Sequence, residues 1–173
     1  SIASTTGFGT EDIGGAYFPA LAKLIFLALM VIGGCVGSTG GGIKVMRIGV
    51  LAKMVKRQIH RVIKGRRTTN LLLIDGDTIE TEEIRRIAAL FAGWMFFLAI
   101  GGMVTALLSS ELGPLEAASG MFSAMGNIGP CYISVEEMTQ IHPVTKIVYI
   151  IGMLAGRLEI LPILMLFSRK TWR

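Results

Sequence analysis

Residues 33–44 read Gly-Gly-Cys-Val-Gly-Ser-Thr-Gly-Gly-Gly-Ile-Lys and follow directly on an apolar run over residues 16–32. The chemistry open to such a stretch belongs to its backbone. Glycine costs a helix interior about 1 kcal/mol per residue relative to alanine, so the chain is expected to unwind at Gly37, Ser38, Thr39, Gly40, Gly41 and Gly42. In lipid, unwound backbone leaves amides and carbonyls unpaired, which is tolerated only against protein or a water-filled cavity. The stretch therefore points to a pathway through a membrane. A glycine run ending in lysine could instead cradle phosphate, but that loop needs Gly-Lys-Ser/Thr in direct succession. Here Ile43 separates Gly42 from Lys44, Val45 stands in the hydroxyl position, and the segment before the glycines reads as a membrane helix rather than a buried strand. A flexible linker between two helices is the plain alternative.

Two more glycine loops stand on either side. Thr5-Thr6-Gly7-Phe8-Gly9 lines up with the Thr-Val-Gly-Tyr-Gly loop whose carbonyls coordinate K+ in potassium channels, although in isolation it also reads as an ordinary glycine turn. Gly126-Asn127-Ile128-Gly129-Pro130-Cys131-Tyr132 follows a short apolar stretch over residues 115–125 that is too short to span a bilayer. The negative end of that short helix's dipole would face the loop and favour a cation there. Arg157 lies 14 residues beyond Pro143 in the last apolar run, roughly 21 Å along a helix and still within the hydrocarbon layer. An arginine at that depth costs at least about 2.5 kcal/mol unless paired or hydrated, so it is expected to face protein or water. Its plainer role is an interhelical tie. His60 and His142 read as parts of a basic face and of a helix start. Cys35 and Cys131 have no metal-ligand spacing, fall at different membrane depths and are expected to be free thiols. No metal-ligand helix, nucleophile elbow or positioned His-carboxylate pair is present, so no catalysis and no cofactor are expected.

The elements that hold these loops follow from composition. With 52% hydrophobic residues, mean hydropathy +0.63 and 22 glycines in 173 residues, the chain reads as a membrane protein. The net charge of +5 is not a nucleic-acid footprint, because nine of the 17 Lys and Arg lie in residues 44–67, where there is no acid. Residues 1–16 and 109–142 hold no Lys or Arg but carry Glu11, Asp12, Glu111, Glu116, Glu136 and Glu137. That segregation is the positive-inside pattern and places residues 44–86 and the C-terminus in the cytoplasm. Spans are expected over residues 17–36, 87–108 and 143–167, with a basic helix over residues 43–64 that meets anionic lipid or an acidic partner. Asp75-Gly76 between apolar-rich runs predicts a small cytoplasmic hairpin. Ser1 is not an initiator methionine, so a longer polypeptide extending upstream is expected.

Span, short helix, glycine loop, span is the organisation of a potassium-channel pore unit. Ser4-Thr5-Thr6-Gly7-Phe8, Gly37-Ser38-Thr39-Gly40-Gly41-Gly42-Ile43-Lys44-Val45-Met46-Arg47, Asn127-Ile128-Gly129-Pro130 and Gly156-Arg157-Leu158-Glu159-Ile160 occur in the order that resembles the Trk potassium-transport family, of the TrkH/TrkG type. The resemblance implies an all-α membrane protein, a fragment of a four-repeat pore of helix, pore helix, filter loop and helix. Residues 1–67 would end the third repeat, 68–83 would form the hairpin connector, and 84–173 would make the fourth. Thr5, Thr6, Gly7 and Phe8, with Asn127, Ile128, Gly129 and Pro130, would supply two filter loops that hold K+ by backbone carbonyls alone. The fourth loop lacks the second glycine that the third keeps, which suits an imperfectly symmetric filter. Residues 37–42 would gate the pore below, with Arg157 as a charge beside it. The resemblance further implies residence in the bacterial cytoplasmic membrane, a homodimer and a nucleotide-binding cytoplasmic regulator of the TrkA type. Reading residues 33–44 from physics alone leaves open a secondary transporter that binds its substrate at the broken helix.

Overall fold

A computed structural model describes residues 2–35, 37–38, 40–64, 73–74, 77–78 and 81–158. Helix α1, Ala20–Val31, starts after Pro19, whose extended backbone (φ −65°, ψ 159°) serves as its N-cap. Its 12 residues rise about 18 Å, short of a bilayer's hydrocarbon core. The span expected over residues 17–36 thus stops early, and the break begins at Ile32 rather than Gly37. The cause is a competing set of hydrogen bonds. Ile32 and Ile43 form a parallel bridge, in which the Gly33 amide donates to the Ile43 carbonyl at 2.8 Å and the Ile43 amide donates to the Val31 carbonyl at 3.0 Å. A Cβ on Gly33 would lie 2.3 Å from the Gly41 carbonyl oxygen, so only glycine admits this closeness.

Helix α2, Val45–Lys64, carries the cations on one side. Its first half packs through Val50 onto Ile84 and Ile87 of helix α3, Thr81–Leu108. Strands β1, Leu73–Ile74, and β2, Asp77–Thr78, pair antiparallel with Ile74 opposite Asp77, while the turn residues Asp75 and Gly76 lie outside the described residues. With 28 residues, α3 is long and apolar enough to cross a membrane. It starts six residues before the expected span, with Glu82 and Glu83 at the positive end of its dipole.

Helix α4, Pro114–Gly126, is the short helix expected from the sequence. Pro114 needs no amide partner in the first turn, and the Gly113 amide donates to the Glu116 carboxylate at 2.8 Å. Helix α5, Val135–Gln140, was not anticipated, although Ser134 and Glu137 stand at capping-box spacing. Ser134 Oγ accepts from the Glu137 amide at 3.2 Å, and the Glu137 carboxylate accepts from the Ser134 hydroxyl at 2.7 Å and the Ser134 amide at 2.9 Å. These Ser134 side-chain and backbone bonds hold the Glu137 carboxyl below its usual range. The cap therefore stabilises α5 above the ordinary carboxylate pKa and is lost as pH falls through the depressed value. Protection of residues 135–140 against amide exchange, taken relative to the intrinsic rate at each pH, is expected to fall on acidification, and Glu137→Gln is expected to make that protection insensitive to pH over the same range. Helix α6, Pro143–Leu158, completes the described chain; Glu159 and the rest of the expected run to Phe167 lie outside it.

α4 is the centre of the packing, with α3, α6 and α1 around it. Small residues let the backbones close in: Gly101 of α3 and Gly152 of α6 lie against Met121, and a Cβ on Gly156 would fall on the Met125 carbonyl. Met121, Met125, Trp94, Leu98, Tyr149 and Ala155 fill the centre. The outer faces are apolar as well, unlike those of a water-soluble bundle, and a few hydroxyls lie inside. Thr105, Ser119, Ser123 and Thr145 are buried, while Phe96, Met103 and Leu107 of α3 and Ile147, Ile150 and Leu154 of α6 face outward. Such exposed apolar faces on long helices suit lipid rather than water.

Candidate functional site

α4 delivers the chain into residues 127–132, and its own side chains shape that loop. Asn127 ends the helix in the left-handed region (φ 51°). Its Nδ2 donates to the Met153 carbonyl of α6 at 3.0 Å. The Ile128 amide donates to the Ser123 carbonyl at 3.1 Å, the Gly129 amide to Ser123 Oγ at 3.1 Å, and the Tyr132 amide to Ser119 Oγ at 2.9 Å. Ser119 and Ser123 are one turn apart on the same face of α4, and each hydroxyl accepts from one amide of the loop. Sequence reasoning passed over both serines. Their signal was there, two hydroxyls at that spacing in a short helix whose one charged residue, Glu116, lies in its first turn.

The other loop is built by turns. Thr5 adopts φ 54° with its amide on the Ile2 carbonyl at 3.1 Å, and Gly7 has φ 77°. Thr6 is exposed with its hydroxyl 3.0 Å from that of Ser4, and Phe8 is 86% exposed. The two loops meet where Gly7 lies against Ile128 and Pro130. A Cβ on Gly7 would lie 2.2 Å from the Ile128 carbonyl oxygen and 3.4 Å from Pro130 Cδ. Gly129 has φ 106°, beyond the reach of an ordinary L residue. Beyond this contact the loops part around an open cleft of about 720 Å³, lined among others by Gly7, Gly9, Glu11, Asp12, Gly129 and Pro130.

The glycine run lies against both loops. Gly40 approaches the Thr5 side chain, and Gly41 lies against the Gly126 carbonyl and Asn127 Cβ. Gly37 (φ 85°) and Gly42 (φ 79°) take conformations that favour glycine. Ser38 Oγ accepts from the Gly40 amide at 3.1 Å, while Thr39 lies outside the described residues. Lys44 was quoted only as part of a motif, but it holds the run in place: its Nζ donates to the Ser38 carbonyl at 2.5 Å and the Gly40 carbonyl at 2.9 Å. Arg157 is exposed in the last turn of α6, next to Gly156, which lines a cavity of about 30 Å³ together with Gly42, Ile43 and Arg47. Cys35 and Cys131 are free. Among the described residues no group of three or more His, Cys, Asp or Glu could hold a metal ion. The polar atoms gathered here are backbone amides, carbonyls and hydroxyls, with the Glu11 and Asp12 carboxylates lining the cleft and the Lys44 ammonium on the glycine run.

The family model of the TrkH cation transport proteins matches residues 1–173. The chain belongs to the TrkH family. It is 33% identical over 178 residues to the Trk system potassium uptake protein TrkH of Escherichia coli K12, all of this chain aligning with 35% of that protein. An uncharacterised cation transporter of Methanocaldococcus jannaschii is 34% identical over 171 residues, covering 97% of this chain and 34% of its own length. Among solved structures, the potassium transporter TrkH from Vibrio parahaemolyticus superposes with TM-score 0.86 at 29% identity, over 99% of this chain and 36% of the other. This TrkH-family chain therefore spans about a third of the length of the relatives it matches. Its helical architecture is that of the transporter.

Proposed function

We propose that this chain is part of a K+ uptake pore in a cytoplasmic membrane, in which it supplies two of four selectivity-filter loops and an intramembrane gate. The observation that carries the reading is the contact of Gly7 with the Ile128 carbonyl. It joins two glycine loops, each with a positive-φ glycine, beside the dipole end of a short helix. Thr5, Thr6, Gly7 and Phe8 are the third-repeat loop, and Asn127, Ile128, Gly129 and Pro130 the fourth. Carbonyls in such loops replace the hydration shell of the ion, so K+ is cargo and no cofactor is required. Gly40 and Gly41 of the run lie against Thr5 and Gly126, where a gate below the filter belongs, and Arg157 adds a positive charge near its base. In the whole protein residues 44–86, with the β1–β2 hairpin, face the cytoplasm, where α2 meets anionic lipid and a nucleotide-binding regulator of the TrkA type. The subunit works as a homodimer, and it is not an enzyme.

The test is K+ uptake by the full-length parent protein in a potassium-uptake-deficient cell, wild type against Gly129→Ser, at several external K+ and Na+ concentrations. With φ 106° at this position, serine is expected to distort the loop and weaken K+ uptake or K+ over Na+ preference. Unchanged uptake and selectivity would reduce residues 127–130 to a turn and favour a secondary transporter with its site at the broken helix.

A further inference from the structure

Lys23 lies near the start of α1, and Tyr132 ends the fourth-repeat loop; 109 residues separate them in sequence. The Tyr132 hydroxyl donates to the Lys23 carbonyl. The Lys23 ammonium in turn donates to the Gly14 carbonyl at 2.6 Å and stands 5.8 Å from the centre of the Tyr132 ring. Gly14 closes the triangle, since a Cβ there would lie 2.7 Å from the Tyr132 carbonyl oxygen. Tyr132 is 5% exposed and packs with Ile2, Leu27, Met30 and Ile128. Its own amide is held by Ser119.

Each partner continues a different loop. Gly14 is seven residues past Gly7, and Tyr132 is three past Gly129. The two loops thus touch at Gly7 and Ile128, open around the cleft, and touch again at Gly14 and Tyr132. Two contacts fix the separation of two strands, whereas one leaves a hinge. The second contact is reinforced by a charge-assisted hydrogen bond and a cation over an aromatic face, both strengthened by partial burial.

We propose that Lys23 and Tyr132 are positioning residues that clasp the outer ends of the two loops and so tune the preference of the pore for K+ over smaller cations. This rests on the reading of both loops as filter. Lys23 is present for the ammonium it places between the loops, beyond any reach toward the membrane surface.

The experiment uses the full-length parent protein in the uptake-deficient cell, with protein in the membrane quantified for each variant. Tyr132→Phe removes only the hydroxyl, and Lys23→Met removes only the ammonium. Each is expected to lower K+ over Na+ preference about three- to tenfold, the range spanned by one hydrogen bond, without a matching fall in maximal rate per inserted molecule. Lys23→Arg keeps a donor for Gly14 and a cation for the ring, and is expected to restore the preference. If Tyr132→Phe fails to insert, the Met and Arg variants at Lys23 decide alone. Wild-type preference in the variants, or a loss at Lys23→Met that arginine does not restore, overturns the clasp. Gly129→Ser separates the two levels: if it alters selectivity while the clasp variants do not, the pore stands and only the clasp falls. If none of them does, the pore reading falls as well.

Discussion

Gly7→Ala is expected to abolish most K+ uptake by the full-length protein, at least about tenfold per inserted molecule. Two costs add at this position. Left-handed backbone costs an alanine roughly 1–2 kcal/mol, itself about a tenfold effect. The new methyl would also sit 2.2 Å from the Ile128 carbonyl oxygen, an atom of backbone that cannot rotate away. Relief requires either loop to move, and the displaced carbonyl belongs to the loop proposed as one quarter of the filter. Gly9→Ala is the control, because its Cβ would meet only the Glu11 carbonyl at 3.3 Å and its φ is not positive. Uptake is expected near wild type there. Equal loss in both variants would mean that the region tolerates no added volume and that the contact with Ile128 has no special part.

Lys44→Met is expected to raise K+ flux under conditions in which the wild-type transporter is closed. The Lys44 ammonium ties the Ser38 and Gly40 carbonyls, and Gly40 in turn approaches Thr5. Methionine keeps the length and apolar stem of the side chain but donates no hydrogen bond, so the Ser38 and Gly40 carbonyls lose the tie that holds this part of the run beside Thr5. A charge-assisted hydrogen bond contributes about 1.5–3 kcal/mol, which corresponds to a population shift of roughly tenfold or more toward an open loop. Shortening residues 37–42 is expected to act in the same direction. Single-channel or flux measurements on reconstituted full-length protein, with the regulator absent, read this directly. Flux that stays at the closed level in both variants would remove the gate from these residues.

The features legible in the sequence were those written in backbone permissiveness. Glycines at 7, 37, 42 and 129 announced conformations that other residues avoid, and each has positive φ. The short helix before residue 127 followed from Pro114, the apolar run and its length. The end of α1 was misplaced because glycine propensity argues only where a helix is weak. What stopped it at Val31 was pairing with Ile43, a partner 12 residues away that no local scale registers. The same reason hid Lys23, Lys44 and Tyr132. Their partners are carbonyls, which every residue has, so the sequence carries no mark of which one is chosen. Ser134 and Glu137 are different: their spacing was a readable cap, and α5 could have been found from it.

The bridge between Ile32 and Ile43 separates movement of the glycine run from movement of the helices on either side of it. It staples the base of the loop, so α1 and α2 keep their relative register whatever the intervening residues do. A rearrangement of the run inside the staple therefore leaves the two helices in place, while a change of a single residue outside it would slide one helix against the other.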